Sequence, residues 1–179
     1  GVKGNRAKTP IIENGRVVWV ADLTDTRVPG FDGLVDLVIF RLLMTDSIYG
    51  LPIHGKNMTS LMHAIRRWCI QDHNFAEPKL LVMDLEKAIA QGYTDSNNAT
   101  FLALCIECNI IMRFTNTDKG CPPAEGAVAI VKNCGQLFLK RSNLHKRHYH
   151  RLCQLGAAKR EVGRGRAGSF VNCTIPYLT

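Results

Sequence analysis

"RVVWVAD", residues 16–22, sets five apolar residues in a row between Arg16 and Asp22. Valines and Trp19 dominate it, and such residues favour extended backbone. The run does not alternate with polar residues, which predicts a strand covered on both faces and central in its sheet. What surrounds it sets the topology. "TDTRVPGFDG" (24–33) is turn chemistry. "LVDLVIFRLLMTD" (34–46) is rich in branched residues and suits a second strand. "SIYGLPIHG" (47–55), punctuated by Gly50 and Pro52, suits a turn and a short third strand. Three strands joined by short turns favour an antiparallel meander.

The period then changes. In "NMTSLMHAIRRWCIQ" (57–71), Leu61, Ile65, Trp68 and Cys69 share one helical stripe, with Asn57 or Thr59 as cap. "KLLVMD" (79–84) is a buried strand ending in an acid, "ATFLALCIEC" (99–108) an apolar helix and "NIIMRF" (109–114) a fifth strand. After the loop "TNTDKGCPP" (115–123), "AEGAVAIVKNCGQLFLKR" (124–141) is helical by pattern. Val128, Val131, Leu137 and Phe138 are its expected core contacts, and Gly135 weakens its middle. Strands alternating with helices favour parallel crossovers. The expected architecture is a mixed α/β domain, a five-stranded sheet flanked by helices, over residues 16–140. A polar lead-in (1–15) precedes it, and a basic extension (141–179) ending in the Gly-rich "GRGRAGSF" follows.

The chain has 179 residues, enough for one domain, and its 46% hydrophobic fraction is ordinary for a globular protein. No apolar run reaches the roughly 20 residues of a membrane helix. The longest, "LVDLVIFRLLM" (34–44), is broken by Asp36 and Arg41, so no membrane partner is expected. There is no signal-peptide pattern, and a start at Gly1 suggests a fragment or a processed form. Seven scattered cysteines read as buried thiols in an intracellular, reducing compartment, nucleus and organelle matrix both remaining open.

Charge is unevenly placed. From residue 140 onward stand nine bases and one acid, Glu161, a surplus equal to the whole net charge of +8. The bases are Lys140, Arg141, Lys146, Arg147, Arg151, Lys159, Arg160, Arg164 and Arg166. Such a segment is an electrostatic footprint for nucleic acid, with His145, His148, Tyr149 and His150 interleaved. A solvated basic end is the plainer reading. "HKRHYHR" (145–151) suits phosphate backbones better than a metal. Cys105 and Cys108, with Cys121 and Cys134, invite zinc, but they sit on an apolar helix without a second close CxxC and read as structural.

Two acids stand at strand ends, Asp22 and Asp84. A carboxylate beside a buried strand end costs free energy unless something pairs with it. Two on adjacent strands repel unless a cation lies between them. Mg2+ takes oxygen ligands and leaves positions for phosphate oxygens. A pair of such ions activates a nucleophile and stabilises the leaving oxygen in phosphoryl transfer. The same residues also allow each Asp to cap the turn that follows it, in "ADLTD" and "MDLEKA".

"WVADLTDT" (19–26), with Trp19, Asp22 and Thr24, resembles the first strand of retroviral and retrotransposon integrase cores, where a Trp often stands three residues before the catalytic Asp. "MTDSIYGLPIHGKNMTSLMHAIRRWC" (44–69) resembles the second and third strands and first helix, with Asp46, Ser47 and Lys56 in familiar places. "PKLLVMDLEKA" (78–88) resembles the strand of the second catalytic Asp, and "CIECNIIMRFTNTDKGCPPAEGAVAIVKN" (105–133) the closing strand, mobile loop and helix. The resemblance covers roughly residues 16–140. It implies an RNase H-like fold and a DDE triad in which Asp22 and Asp84 take the first two places.

The third place departs from the pattern. Setting Gly126 on the family's loop glycine puts Ala129 where the catalytic Glu belongs, and Ala binds no metal. Glu125 lies one helical turn earlier on the same side. "LEKAI" after Asp84 also departs from the family, and the interval from 84 to 129 is longer than usual, with "GYTDSNNAT" (92–100) as the extra loop. Two readings follow. In the first, the chain is a polynucleotidyl transferase core acting on DNA. Asp22 and Asp84 then hold Mg2+ or Mn2+, and Glu125 completes the catalytic set. In the second, it is an integrase-derived domain that no longer cuts and needs no cofactor. It then serves as a structural or nucleic-acid-binding part, for example of a ribonucleoprotein. A nuclease on RNA–DNA hybrids is a third, and needs more acids near the site. Expected partners are DNA or RNA, further copies of the chain, or a larger nucleoprotein assembly.

Overall fold

A computed structural model describes residues 11–71, 75–84, 98–115 and 122–163, without the side chains of Asp32, Asn98 and residues 158–163. In chain order the strands and helices are β1 (Ile12–Glu13), β2 (Arg16–Asp25), β3 (Asp36–Leu42), β4 (Ile48–Ile53), α1 (Met58–Gln71), β5 (Lys79–Asp84), α2 (Asn98–Glu107), β6 (Ile110–Thr115), α3 (Pro122–Ser142) and α4 (Tyr149–Gly163). No described helix is long and apolar enough to cross a membrane.

The sheet order is β4-β3-β2-β5-β6. The meander β2–β3–β4 is antiparallel, and β5 and β6 continue it in parallel on the other side of β2. The mixed α/β sheet with flanking helices is therefore present, with "RVVWVAD" at its centre. A sixth strand was not anticipated. β1 pairs with the start of β2 through Asn14–Gly15, both at positive φ (49° and 73°), the conformation a two-residue hairpin demands. Asn-Gly is a strong hairpin signal, and it was legible in the lead-in.

Alternation along each strand builds two layers. Trp19, Ala21 and Leu23 of β2, with Val38, Phe40, Leu51, Leu81 and Met83, face α1 and α2. There Trp68 stacks on Phe40 (centroids 4.5 Å apart) and meets Trp19 edge-on (4.8 Å). The expected α1 stripe is fully buried, and Asn57 caps the helix by accepting from the Ser60 amide at 2.9 Å. Val18, Val20, Leu80 and Val82 face the other way, against Ala124 of α3. Val131 and Phe138 of α3 are buried as expected, Val128 is half-buried, and Leu137 is exposed.

The domain does not stop at residue 140. α4 lies on β3 and β4 beside α3, with Tyr149, Cys153 and Ala157 packed on Leu37, Ile39 and Ile48. Its crossing with α3 runs through two glycines. A Cβ on Gly156 would meet Cys134 Cβ at 2.6 Å, and one on Gly135 would meet the Tyr149 ring at 2.9 Å. Gly135, which weakens a helix taken alone, is what lets the two helices touch. The extension beyond 140 thus begins as core. Tyr149 and His150, grouped with the nucleic-acid bases in the sequence, are interior residues.

Candidate functional site

The last residue pair between parallel β2 and β5 is Ala21–Met83. Asp22 and Asp84 each follow by one step, side by side where the β2–β5 ladder ends, on strands whose usual spacing is about 4.8 Å. Ala21 and Met83 point to the α1 layer. The two carboxylates therefore point to the α3 side. Trp19 lies three residues before Asp22, an odd number along a strand, so the Trp anchors the core while the Asp faces the opposite layer. Both acids are half-buried. Thr115, the cross-strand partner of Asp84 on β6, donates its hydroxyl to Asp84 Oδ1. Asp22, Asp84 and Thr115 make one polar row across three strands, and the β3 neighbour of Asp22 in that row is Ile39.

α3 begins at Pro122, two residues before the expected start, which puts Glu125 in its first turn. Pro is tolerated there because first-turn amides have no partner within the helix. Ala124 and Ala127 face the sheet, while Glu125, Gly126 and Ala129 are exposed. Among the described residues, no three His, Cys, Asp or Glu side chains lie close enough together to hold a metal ion. The fold thus brings Asp22 and Asp84 side by side and does not gather Glu125 with them into such a group. Two neighbouring carboxylates facing the same way are the donor chemistry a hard divalent cation takes.

Arg41 was not singled out by the sequence. It is the cross-strand partner of Val20, on the face of Asp22. Its Nε and Nη2 donate to Asp46 Oδ1 at 3.1 and 2.8 Å, and its Nη1 donates to the Pro123 carbonyl at 2.9 Å. One guanidinium therefore ties the start of α3 to the turn after β3. Asp46, a familiar position in the resemblance, acts here as the partner of Arg41 and sits at a positive φ of 59°.

The basic set divides. Lys140, Arg141 and Lys146 are exposed around the turn between α3 and α4. Arg147 lies 4.6 Å over the Phe31 ring and donates to the Gly30 carbonyl at 3.4 Å. Arg151 is exposed and donates to Gln154 at 3.3 Å. The side chains of Lys159 and Arg160, and all of Arg164 and Arg166, lie outside the described residues. His145 Nδ1 accepts from the Arg147 amide, and His148 packs on Phe31 at 4.7 Å.

His150 is buried. It meets Thr26 Oγ1 through Nε2 at 2.8 Å, while Nδ1 has no partner and faces Gly30. Thr26 also reaches the carbonyls of Val28 and Val35, at 3.0 Å each. Its proton goes to a carbonyl, so Nε2–H donates to Thr26 and Nδ1 carries the lone pair.

The cysteines fall on both sides of the sheet. Cys69, Cys105 and Cys108 pack in the α1 layer, Cys134 and Cys153 between α3 and α4. All five are free thiols. Burial pushes the Cys105 thiol up to about 11 and Cys153 up to about 12, so neither offers a thiolate at neutral pH. Cys121 lies outside the described residues.

No family model matches the chain, and no curated protein matches it by sequence. A solved structure does. It is a chain of the simian T-cell lymphotropic virus intasome in complex with PP2A regulatory subunit B56 gamma, determined by cryoEM, with a TM-score of 0.56 and 13% identity over 89% of this chain. The likeness is one of fold. This protein spans 51% of the chain it matches, and at that identity the likeness does not extend to chemistry.

Proposed function

We propose that this protein is an integrase-like polynucleotidyl transferase core acting on DNA, in which Asp22 and Asp84 hold a divalent cation. The neighbouring placement of Asp22, inside β2, and Asp84, at the end of β5, carries this reading. When bound, Mg2+ or Mn2+ would neutralise charge on a phosphodiester and activate water or a 3′-hydroxyl. The chain's own part is to fix two carboxylates on a rigid sheet, with Thr115 holding one of them. Exposed bases at the α3–α4 turn would grip the DNA backbone without reading its sequence. The intasome likeness supports a nucleoprotein setting.

One observation favours a second reading. Ala129 and Glu125 are exposed on α3, and no third carboxylate joins the pair among the described residues. A domain that kept the integrase fold and lost cutting, serving as a structural or nucleic-acid-binding part, would carry this residue set.

Calorimetric titration with Mg2+ and Mn2+ of the chain and of Asp84→Asn, followed by strand transfer on a short duplex, separates the two. The first reading expects metal binding that the variant loses by about tenfold or more, together with cutting or joining of DNA. Absence of binding and turnover, with DNA affinity that falls steeply with salt, establishes the second reading in its place.

A further inference from the structure

The other edge of the sheet, at β4, carries a cavity of about 360 Å³ that none of the preceding chemistry uses. It opens between α1 on one face and the first turn of α4 on the other. Pro52 and Ile53 of β4 form part of a buried apolar floor. His54, His63, Arg67 and Arg151 stand at its rim, all exposed, and among the described residues no carboxylate lines it. His63 and Arg67 lie one turn apart on α1, so their side chains rise together.

The bases of this cluster share one apolar-floored cavity and carry no counter-charge, unlike three other arginines. Arg41 is paired with Asp46, Arg66 with Glu107 and Arg113 with Glu13. Among the described residues, Arg67, His54 and His63 make no hydrogen bond or ion pair, and Arg151 reaches only the neutral Gln154. Two guanidiniums at the mouth of an apolar-floored cavity match a phosphate, whose oxygens accept their paired N–H groups. The floor and the imidazoles suit a flat organic body, since bases stack on His and Arg. The volume is within the roughly 300–1,000 Å³ range of small-molecule sites.

We propose that this cavity binds a 5′-nucleotide, its phosphate held by Arg67 and Arg151 and its base lodged over Pro52 and Ile53. The nucleotide is either free or the phosphorylated end of a strand. The site is two strands away from β2 and does not depend on the Asp22–Asp84 reading.

The test is calorimetry on the full chain with 5′-AMP, adenosine, and an octanucleotide with and without a 5′-phosphate. The variants are Arg67→Ala, Arg151→Ala and, as a control of equal charge change, Arg66→Ala. All three side chains are exposed, and matching thermal melts verify the fold. AMP binding at least about tenfold tighter than adenosine, weakened about tenfold by Arg67→Ala and by Arg151→Ala and within about twofold unchanged in Arg66→Ala, is the expected result. A 5′-phosphorylated octanucleotide that outcompetes AMP identifies a strand end, and one that does not identifies a free nucleotide. No AMP binding at millimolar concentration, or equal loss in Arg66→Ala, overturns the proposal.

Discussion

At Gly135 two effects of similar size oppose each other. Ala in a helix interior is about 1 kcal/mol better than Gly. Here the added methyl would meet the Cys153 sulfur and the edge of the Tyr149 ring, neither free to retreat from a packed interface. Overpacking of this kind costs about 1–3 kcal/mol. Gly135→Ala is therefore expected to lower stability by up to about 2 kcal/mol in urea denaturation, and a gain would mean that α3 and α4 separate readily. His150 makes a second prediction. Burial pushes its pKa below the ordinary value, against the opposing pulls of the Val35 carbonyl and the Asp36 charge. The unfolded chain takes up a proton as pH falls through about 6.5, and the folded one resists it. The stability this histidine contributes is therefore present above about pH 6.5 and lost below it. Burial raises the Asp36 pKa, so Asp36 gives the opposite slope, in the acidic carboxylate range. Melting temperatures between pH 5.5 and 7.5 should fall toward acid in the parent and change less in His150→Gln. Of these residues, the sequence revealed Asp22 and Asp84, because an acid directly after a buried apolar run is conspicuous, although β2 continues past Asp22 to Asp25. It did not reveal His150 or Arg41, whose roles come from partners 124 and 82 positions away.

Among the elements, the strands were the most legible. Branched apolar runs bounded by Gly, Pro and Asp cannot settle as helices, and the order of strands and helices gave the parallel crossovers directly. α4 was misread for a physical reason. Its first turns mix His150 and Arg151 with Tyr149, Leu152, Cys153, Gly156 and Ala157 just after the basic His145–His148 run, and the charges masked an apolar spacing of three and four. Over its described residues the helix buries Tyr149, His150, Leu152, Cys153 and Ala157 and exposes Arg151. α3 shows the same tension in its first turn. Residue pattern placed Glu125 on the right helix, but only the structure shows that it faces outward. A chain cut after residue 140 lacks α4 and leaves Leu37, Ile39, Ile48 and Val131 uncovered. That piece is expected to bind a hydrophobic dye and elute as aggregates on size exclusion, where the full chain does neither. A monomeric, dye-negative fragment would show that α4 is an accessory.

Across the whole molecule, the two layers have different work. The α1 side is a buried aromatic core around Trp19, Trp68 and Phe40. The α3 side carries the acidic row, the Arg41 tie and the turn where exposed bases gather. The charge asymmetry seen in the sequence therefore survives folding in part, concentrated near the α3–α4 turn, while the same segment supplies buried Tyr149 and His150. The late position of α4 also has a bearing on synthesis. The β3–β4 surface that Ala157 covers is complete once Ile53 has been made, yet its lid is about a hundred residues further along. At about 5–20 residues per second, a ribosome leaves that surface bare for on the order of 5–20 seconds. A nascent chain of this protein is thus a natural client for a holdase during that interval, and slow translation between β4 and α4 would lengthen its exposure.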